Sequence, residues 1–240
     1  MKKFVFMSLL LLMGCATVPS VPLNEETPEG LYLTAYGQFK EKDYEKAIEN
    51  FDKVEQKFPY SQWSERAQIM MAYTQYLKND YTASLLSLER FLQLHPGNRN
   101  VPYALYLKAL CYYEQMSDPT CEQEMTQKAE ESFKAVLMRF PESVYAPDAR
   151  EKLVMIQNYL AAKELSVGRY YQKNEDYIAA MNRFQETIDH WPESTQRPEA
   201  FYRLAACYKA LGMDDQMNQV KEKLSKLYPD SVWNKRAKKL

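Results

Sequence analysis

Side chains able to make or break bonds are few in this 240-residue chain: four cysteines, two histidines and scattered serines. His95 precedes Pro96 and His190 sits beside Trp191. Neither has a second His or Cys at the short spacing that a metal needs, so no metal or other cofactor is expected. A Ser-His-acid set would have to draw on those same two histidines, and no Ser stands in a nucleophile elbow. Gly14, Gly30, Gly37, Gly97, Gly168 and Gly212 stand alone, which leaves nothing to build a phosphate cradle. FPESVYAPDA, Phe140 to Ala149, does gather a Ser, acids and rings, but near copies recur elsewhere in the chain, which marks it as structural. An enzyme is not expected.

Cys15 carries the one chemical signature. Lys2 and Lys3 precede a ten-residue apolar run, Phe4 to Met13, too short to span a bilayer, so residues 1–14 read as a signal peptide. Leu12-Met13-Gly14-Cys15 resembles a bacterial lipobox, in which the Cys thiol receives a diacylglyceryl group and becomes the first residue after cleavage. Ala16 follows where Asp would signal retention at the inner membrane, so the expected address is the periplasmic face of the outer membrane. Each buried methylene of the acyl chains contributes about 0.8 kcal/mol, which makes the tether near-permanent. Residues 15–29, the lipidated Cys and a Pro-rich polar stretch, read as a flexible linker. In that oxidising compartment a bridge from Cys121 to Cys111 or Cys207 has to be weighed. Cys111 and Cys207 lie 13 residues after Asn98 and Ser194, at equivalent places, each before a Tyr, which favours the core for both.

The elements that would position any site announce themselves by repetition. FPYSQWSERA from Phe58, HPGNRNVPYA from His95, FPESVYAPDA, WPESTQRPEA from Trp191 and YPDSVWNKRA from Tyr228 share a ring, a Pro, a Ser or Asn two residues on, and an Ala beyond. Asp43-Tyr44, Asp80-Tyr81 and Asp176-Tyr177 stand at one fixed distance before Pro59, Pro96 and Pro192. Small residues (Ala47, Ser84, Ala129, Ala180) and large ones (Phe51, Leu88, Phe133, Phe184) follow on one helical face. Asp is a plausible N-cap, Pro ends the helix, and the Ser or Asn after it, Ser143 for example, can cap the next. Pro102, Pro147 and Pro198 are tolerable only in a first turn.

Helix A, turn, helix B, ring-Pro is the tetratricopeptide pattern, here with Pro-to-Pro spacings of 37, 45, 51 and 37. The expected fold is all-α, a right-handed superhelix of five tetratricopeptide-like helix-turn-helix repeats with A helices lining a concave face. Repeats 1 and 2 occupy 30–97. Repeat 3, with a loop insertion around Met116 to Gln127, occupies 98–142; repeats 4 and 5 with a capping helix occupy 143–240. The long interval in repeat 4 reads as one helix, Pro147 to Gln172. In the last repeat Asp214-Asp215 replaces Asp-Tyr and Lys221 replaces the large apolar residue, as suits a solvated end.

Without residues 1–14 the chain holds 29 basic and 32 acidic residues, a net charge of about −3 with no case for nucleic acid. Binding remains. Tyr32, Tyr36 and Phe39 on the first A helix and Tyr73 and Tyr76 on the second exceed what one buried stripe requires. They are either core or aromatic anchors of a peptide groove, and spacing leaves both readings open.

The motifs RFPESVYAPDAREKL (Arg139 to Leu153), ELSVGRYY (Glu164 to Tyr171) and DYIAAMNRF (Asp176 to Phe184) resemble those of the BamD family, lipoproteins of the β-barrel assembly machinery. YYEQMSDPTCEQEMTQKAEESF, Tyr112 to Phe133, is similar to the third-repeat insertion of one of its branches. The resemblance implies a scaffold whose C-terminal repeats hold the POTRA domain of the barrel protein BamA. It also implies an N-terminal groove for the C-terminal strand of unfolded outer-membrane protein clients, or for a segment of another Bam lipoprotein. The family's basic BamA contact has a near match at Arg197, where Pro198 shifts the local spelling. A lipoprotein pilotin for a secretin or pilus fits the lipobox and helical repeats equally, and an adaptor of cell-wall enzymes is a further alternative.

Overall fold

The computed structural model describes residues 27–118 and 121–240, and every regular element within them is helical. In chain order these are α1 (Pro28–Lys40), α2 (Tyr44–Lys57), α3 (Gln62–Leu77), α4 (Tyr81–Leu94), α5 (Val101–Tyr113), α6 (Glu124–Arg139), α7 (Ala146–Lys173), α8 (Tyr177–His190), α9 (Arg197–Ala210), α10 (Asp214–Leu227) and α11 (Val232–Ala237). Odd-numbered α1 to α9 are the A helices of five hairpins, even-numbered α2 to α10 the B helices, and α11 covers the end. The signal peptide and Cys15 lie outside the described residues. The linker assigned to 15–29 yields to helix sooner than expected, because Thr27 Oγ1 accepts the Gly30 N–H at 3.0 Å and caps α1, with Pro28 in the first turn.

Each hairpin turns on one residue that serves two helices. Asp43, Asp80 and Asp176 accept side-chain hydrogen bonds from the N–H groups of Lys46 (3.4 Å), Ala83 (3.1 Å) and Ala179 (3.2 Å), opening α2, α4 and α8. Their own amides donate back to Gln38, Gln75 and Tyr171, closing α1, α3 and α7. The residue before each Asp is left-handed: Lys42, Asn79 and Glu175 have φ of 63°, 61° and 63°, and Gly212 takes the same place at 70°. This is a Schellman closure, and at the three non-glycine positions the left-handed backbone costs on the order of 1–2 kcal/mol. In the last unit the cap falls on Met213, which has no side-chain acceptor. Asp214-Asp215 therefore stands one residue inside α10 rather than at the Asp-Tyr place, in the first turn where negative charge suits the helix dipole.

The far end of each B helix stops at the ring-Pro pair. Phe58, His95, Phe140, Trp191 and Tyr228 are all C-caps with ψ between 52° and 68°, the departure from helix that a following proline imposes. What comes next corrects one expectation. Ser61 and Ser231, two residues after their prolines, cap α3 and α11 directly. Asn98, Ser143 and Ser194 hold the same place and cap nothing; α5, α7 and α9 begin three residues beyond them. In these three units a second proline, Pro102, Pro147 or Pro198, stands six residues after the first. A helix started at the Ser or Asn would need that proline's missing N–H for its first hydrogen bond. The helix begins later instead, with the proline in the first turn, where no partner is required. Asn98 and Ser194 turn their side chains to the amides of Asn100 (2.8 Å) and Gln196 (3.1 Å).

The expected core positions are filled. Ala47, Phe51, Ser84, Leu88, Ala129, Phe133, Ala180 and Phe184 are fully buried. In α10, Met217, Val220 and Leu224 take over this role, leaving Lys221 partly exposed. The insertion in the third unit is shorter than Met116 to Gln127, since α6 starts at Glu124; Gln123 Nε2 ties the loop by donating to the carbonyls of Asp118 and Cys121, both at 3.0 Å. Helix α7 runs 28 residues, as its long interval predicts, and spans two cores: Ala149, Ile156 and Leu160 pack in one, Leu165 in the next. Helix α1 touches α3, α3 touches α5 and α7 touches α9, while successive B helices make no comparable contact, so the A helices form the inner side of the stack.

Helix α7 meets α8 at Gly168. A Cβ there would lie 2.5 Å from Cε1 and 2.8 Å from Cδ1 of Phe184, a ring with no room to leave. Gly168→Ala gains up to about 1 kcal/mol of helix propensity but overpacks at a cost of about 1–3 kcal/mol. A lowered urea midpoint at unchanged m-value is expected; a midpoint at or above that of the parent would show that the two helices separate freely here.

Candidate functional site

The five rings singled out in the sequence form one connected row. On α1, Tyr32 and Tyr36 stack at 6.3 Å between centroids, and Tyr36 and Phe39 at 5.9 Å. Phe39 reaches Tyr73 of α3 at 5.9 Å, and Tyr73 stacks with Tyr76 at 6.4 Å. Offsets of three and four residues keep each set on one helix face, and the contact between successive A helices joins the faces. All five are half-buried, resting on the core below and showing an edge or face above. Each ring is therefore partly core and partly surface.

The row is longer than the sequence suggested. Tyr73 continues to Tyr103 of α5 (6.4 Å), Tyr103 to Tyr145 (5.4 Å), and Tyr145 stacks on Tyr106 (5.1 Å). A signal for part of this was present. Trp63, Tyr145 and Trp233 each stand four residues after a repeat proline, and each packs on a Tyr of the preceding A helix: Tyr32 at 5.0 Å, Tyr106, and Tyr202 at 5.4 Å. Arg66 and Arg236, three residues further on, lie over Trp63 and Trp233 at 4.7 and 4.6 Å.

Burial raises the pKa of three phenols along the row. Burial, then the Glu114 carboxylate that accepts from Tyr76 Oη at 3.3 Å, pushes the Tyr76 pKa up to about 12. Burial raises Tyr103 and Tyr106 as well, and Tyr106 Oη donates to Asp148 Oδ2 at 2.5 Å. Among the described residues the hydroxyls of Tyr36, Tyr73 and Tyr103 make no hydrogen bond, so the middle of the row offers apolar faces with unspent donors and acceptors. Among the described residues no three His, Cys, Asp or Glu side chains gather as a metal site would require, and no helix is long and apolar enough to cross a membrane.

A family model described as an outer membrane lipoprotein, YfiO, matches residues 24–224. The outer membrane protein assembly factor BamD of Caulobacter vibrioides is 35% identical over 220 residues, covering 92% of this chain and 72% of the relative. That of Rickettsia prowazekii is 38% identical over 192 residues, covering 80% and 76%. The chain belongs to the BamD family. Among solved structures, the TPR2AB domain of yeast Sti1 in its pHSP90 complex is 14% identical, with a TM-score of 0.47 over 90% of this chain and 83% of that one.

The BamD resemblance carried a partner contact to Arg197, and here the guanidinium is engaged at home. Nε donates to the Ile188 carbonyl at 3.0 Å and Nη1 to the Pro192 carbonyl at 3.1 Å, with the group 5.6 Å from the Phe201 ring centroid. It closes the end of α8 onto the start of α9. A second structural centre was not read from the sequence. Glu199 is 6% exposed and takes Arg169 Nε (2.8 Å), Arg169 Nη2 (2.5 Å) and Arg203 Nε (2.6 Å), tying α7 to α9. Burial opposes the charge on Glu199, but the hydrogen bonds from Arg169 and Arg203 outweigh it and hold its pKa below the ordinary value.

Because the folded-state pKa of Glu199 is lowered, its stabilising contribution is present above the ordinary Glu range and lost as pH falls through the folded value. Glu199→Gln is expected to flatten that acid limb of the stability curve. An unchanged limb in urea unfolding from pH 6 to pH 3 would show that the ion pairs add nothing.

Cys111, Cys121 and Cys207 are all free; Cys111 and Cys207 are buried in separate cores, and burial pushes both thiols up to about 11. A thiol reagent at neutral pH is expected to modify exposed Cys121 at once and the other two only on unfolding. Rapid labelling of all three would contradict the core placement.

Proposed function

We propose that the protein is a scaffold of the outer-membrane β-barrel assembly complex, lipid-anchored through Cys15 on the periplasmic face, and that it performs no bond chemistry. The row of half-buried rings from Tyr32 to Tyr76, continued by Tyr103 and Tyr145, carries the reading. An extended client segment with unpaired strand edges is an aggregation hazard, and a row of rigid rings with unspent hydroxyls can hold such a segment at little entropic cost. The ligands proposed for this face are the C-terminal segments of unfolded outer-membrane proteins or a segment of another Bam lipoprotein. The C-terminal repeats are proposed to hold a POTRA domain of a BamA-like barrel protein, with Arg197 fixing the turn that presents their surface. Attachment through both lipid and partner raises the effective concentration of each. The lipobox, the repeat fold and membership of a family of outer membrane lipoproteins support the reading.

Tyr36→Ala combined with Tyr73→Ala is expected to weaken binding of a client's C-terminal peptide at least tenfold, with helicity by circular dichroism unchanged. Equal affinity would remove the groove. Site-specific crosslinking in cells from Tyr36 and Tyr73 is expected to capture barrel clients or sister lipoproteins, and pull-down to recover a BamA-like protein. Depletion that impaired one secretin or pilus system, and spared barrel proteins in general, would replace the scaffold with a pilotin.

A further inference from the structure

The aromatic row is not electrically uniform. At the Tyr32 end the guanidinium of Arg66 lies over the Trp63 ring at 4.7 Å, and Trp63 packs on Tyr32. Lys40 lies over the Tyr36 ring at 5.3 Å. Neither cationic side chain makes an ion pair or a hydrogen bond with any described residue. The Arg66 charge is felt along the row: burial raises the Tyr32 pKa, and Arg66 opposes the rise. Where the row continues, its fixed charges are acidic. Glu114 accepts from the Tyr76 hydroxyl and Asp148 from that of Tyr106. Lys152 stands 3.9 Å from Asp148, but no described cation pairs with Glu114. A ligand laid along the rings therefore meets positive potential on α1 and α3 and negative potential towards α5.

Arg66 is partly exposed, and stacking on the indole fixes the plane of its guanidinium without consuming any N–H donor. A planar fork of donors with no partner of its own is matched by a carboxylate, which takes two parallel N–H bonds. Beside it, Tyr32, Tyr36 and Phe39 offer aromatic surface. A carboxylate next to an aromatic side chain satisfies both features, and the last residue of an extended chain supplies the two together. The row also ends here, since α1 is the first helix of the stack, so a segment that stops at Arg66 needs no further surface. Arg236 stacks on Trp233 in the same way at the other end of the protein. There Arg203, itself bound to Glu199, lies over the same indole at 6.0 Å, and the ring contacts stop at Tyr202. That second stack has an acid at hand and no row to serve.

We infer that Arg66 sets the specificity of the aromatic groove by taking the terminal carboxylate of an extended, aromatic-ended segment, with Lys40 supporting the charge. The segment then lies in one direction, its C-terminus on α1 and α3 and its earlier residues towards α5. The inference rests on the client groove proposed above and narrows its ligands to segments that end there.

The full-length lipoprotein in detergent is titrated with a decapeptide of alternating aromatic and polar residues ending in Phe, fluorescein-labelled at its N-terminus and prepared as free acid and as amide. Anisotropy is expected to show the acid binding at least fivefold tighter than the amide, with the gap narrowing as salt rises. Arg66→Gln should weaken the acid to the level of the amide and leave the amide unchanged. Arg66→Lys, which keeps the charge and loses the fork, should retain part of the gap, and Arg236→Gln should alter neither affinity. A nitroxide in place of the fluorescein should broaden amide signals around Tyr103 and Tyr145 and spare those around Tyr32. Equal affinity for acid and amide, a full gap in folded Arg66→Gln protein, or broadening centred on Tyr32 would leave the groove standing and overturn this inference. An amidated peptide with Asp in the last place that bound as tightly as the acid would assign Arg66 to side-chain carboxylates and overturn it too. Binding of neither form would remove the groove and the inference together.

Discussion

The stack depends on a single piece of hydrogen-bond accounting at the hairpin turn. Helix ends leave backbone donors and acceptors without partners, and a chain of short helices meets that problem every dozen or so residues. Here the amide of Asp43, Asp80 or Asp176 serves the helix it ends, and the carboxylate serves the helix it begins. No residue is left over for a longer loop, so the two helices must lie antiparallel and close. The small residue on each B helix then fits beneath its A helix, and the large ring or Leu one turn later fills the space between units. The left-handed residue before each Asp is the strained element, and the packing it permits holds it there.

Proline performs the complementary task at the other end. A ring-Pro pair stops each B helix, and whether a second proline follows decides where the next A helix begins. In three units the delayed start inserts an extra turn of non-helical chain, and it is there that Tyr145 projects back onto Tyr103 and Tyr106. The same local rule that shifts the helix start thus lengthens the aromatic row. Helix α7 is the other consequence of irregular spacing. It is long enough to belong to two cores, and it carries Arg169, whose pair with Glu199 ties it to α9.

Function follows from which sides this arrangement exposes. Rings on the A helices are half-buried because neighbouring A helices touch and cannot cover them. On the opposite side the B helices spread apart, and between α2 and α4 that spread leaves room for a polar cavity. The first surface presents half-buried rings, and the second is lined by Asp52, Glu55, Gln68, Arg90 and His95.

Much of this was legible in the sequence because it is set by neighbours along the chain. The Asp caps, the helix-ending prolines, the buried Ala47 to Phe184 series and the long fourth A helix all depend on residues within a turn or two of one another. Even the delayed helix starts follow from the spacing of Pro102, Pro147 and Pro198, whose missing N–H groups rule out a cap at Ser143. The rest depended on groups far apart in the chain. That Arg197 would spend its guanidinium on the carbonyls of its own turn, that Glu199 would gather arginines from two helices, and that Glu55, Gln68 and His95 would surround one cavity could not be read from spacing. Sequence by itself determined where each helix begins, ends and buries a face, because those are short-range hydrogen-bond and steric decisions. Only the tertiary structure decided which exposed edges meet across helices, because the tilt between units, summed from many side-chain contacts, sets that distance.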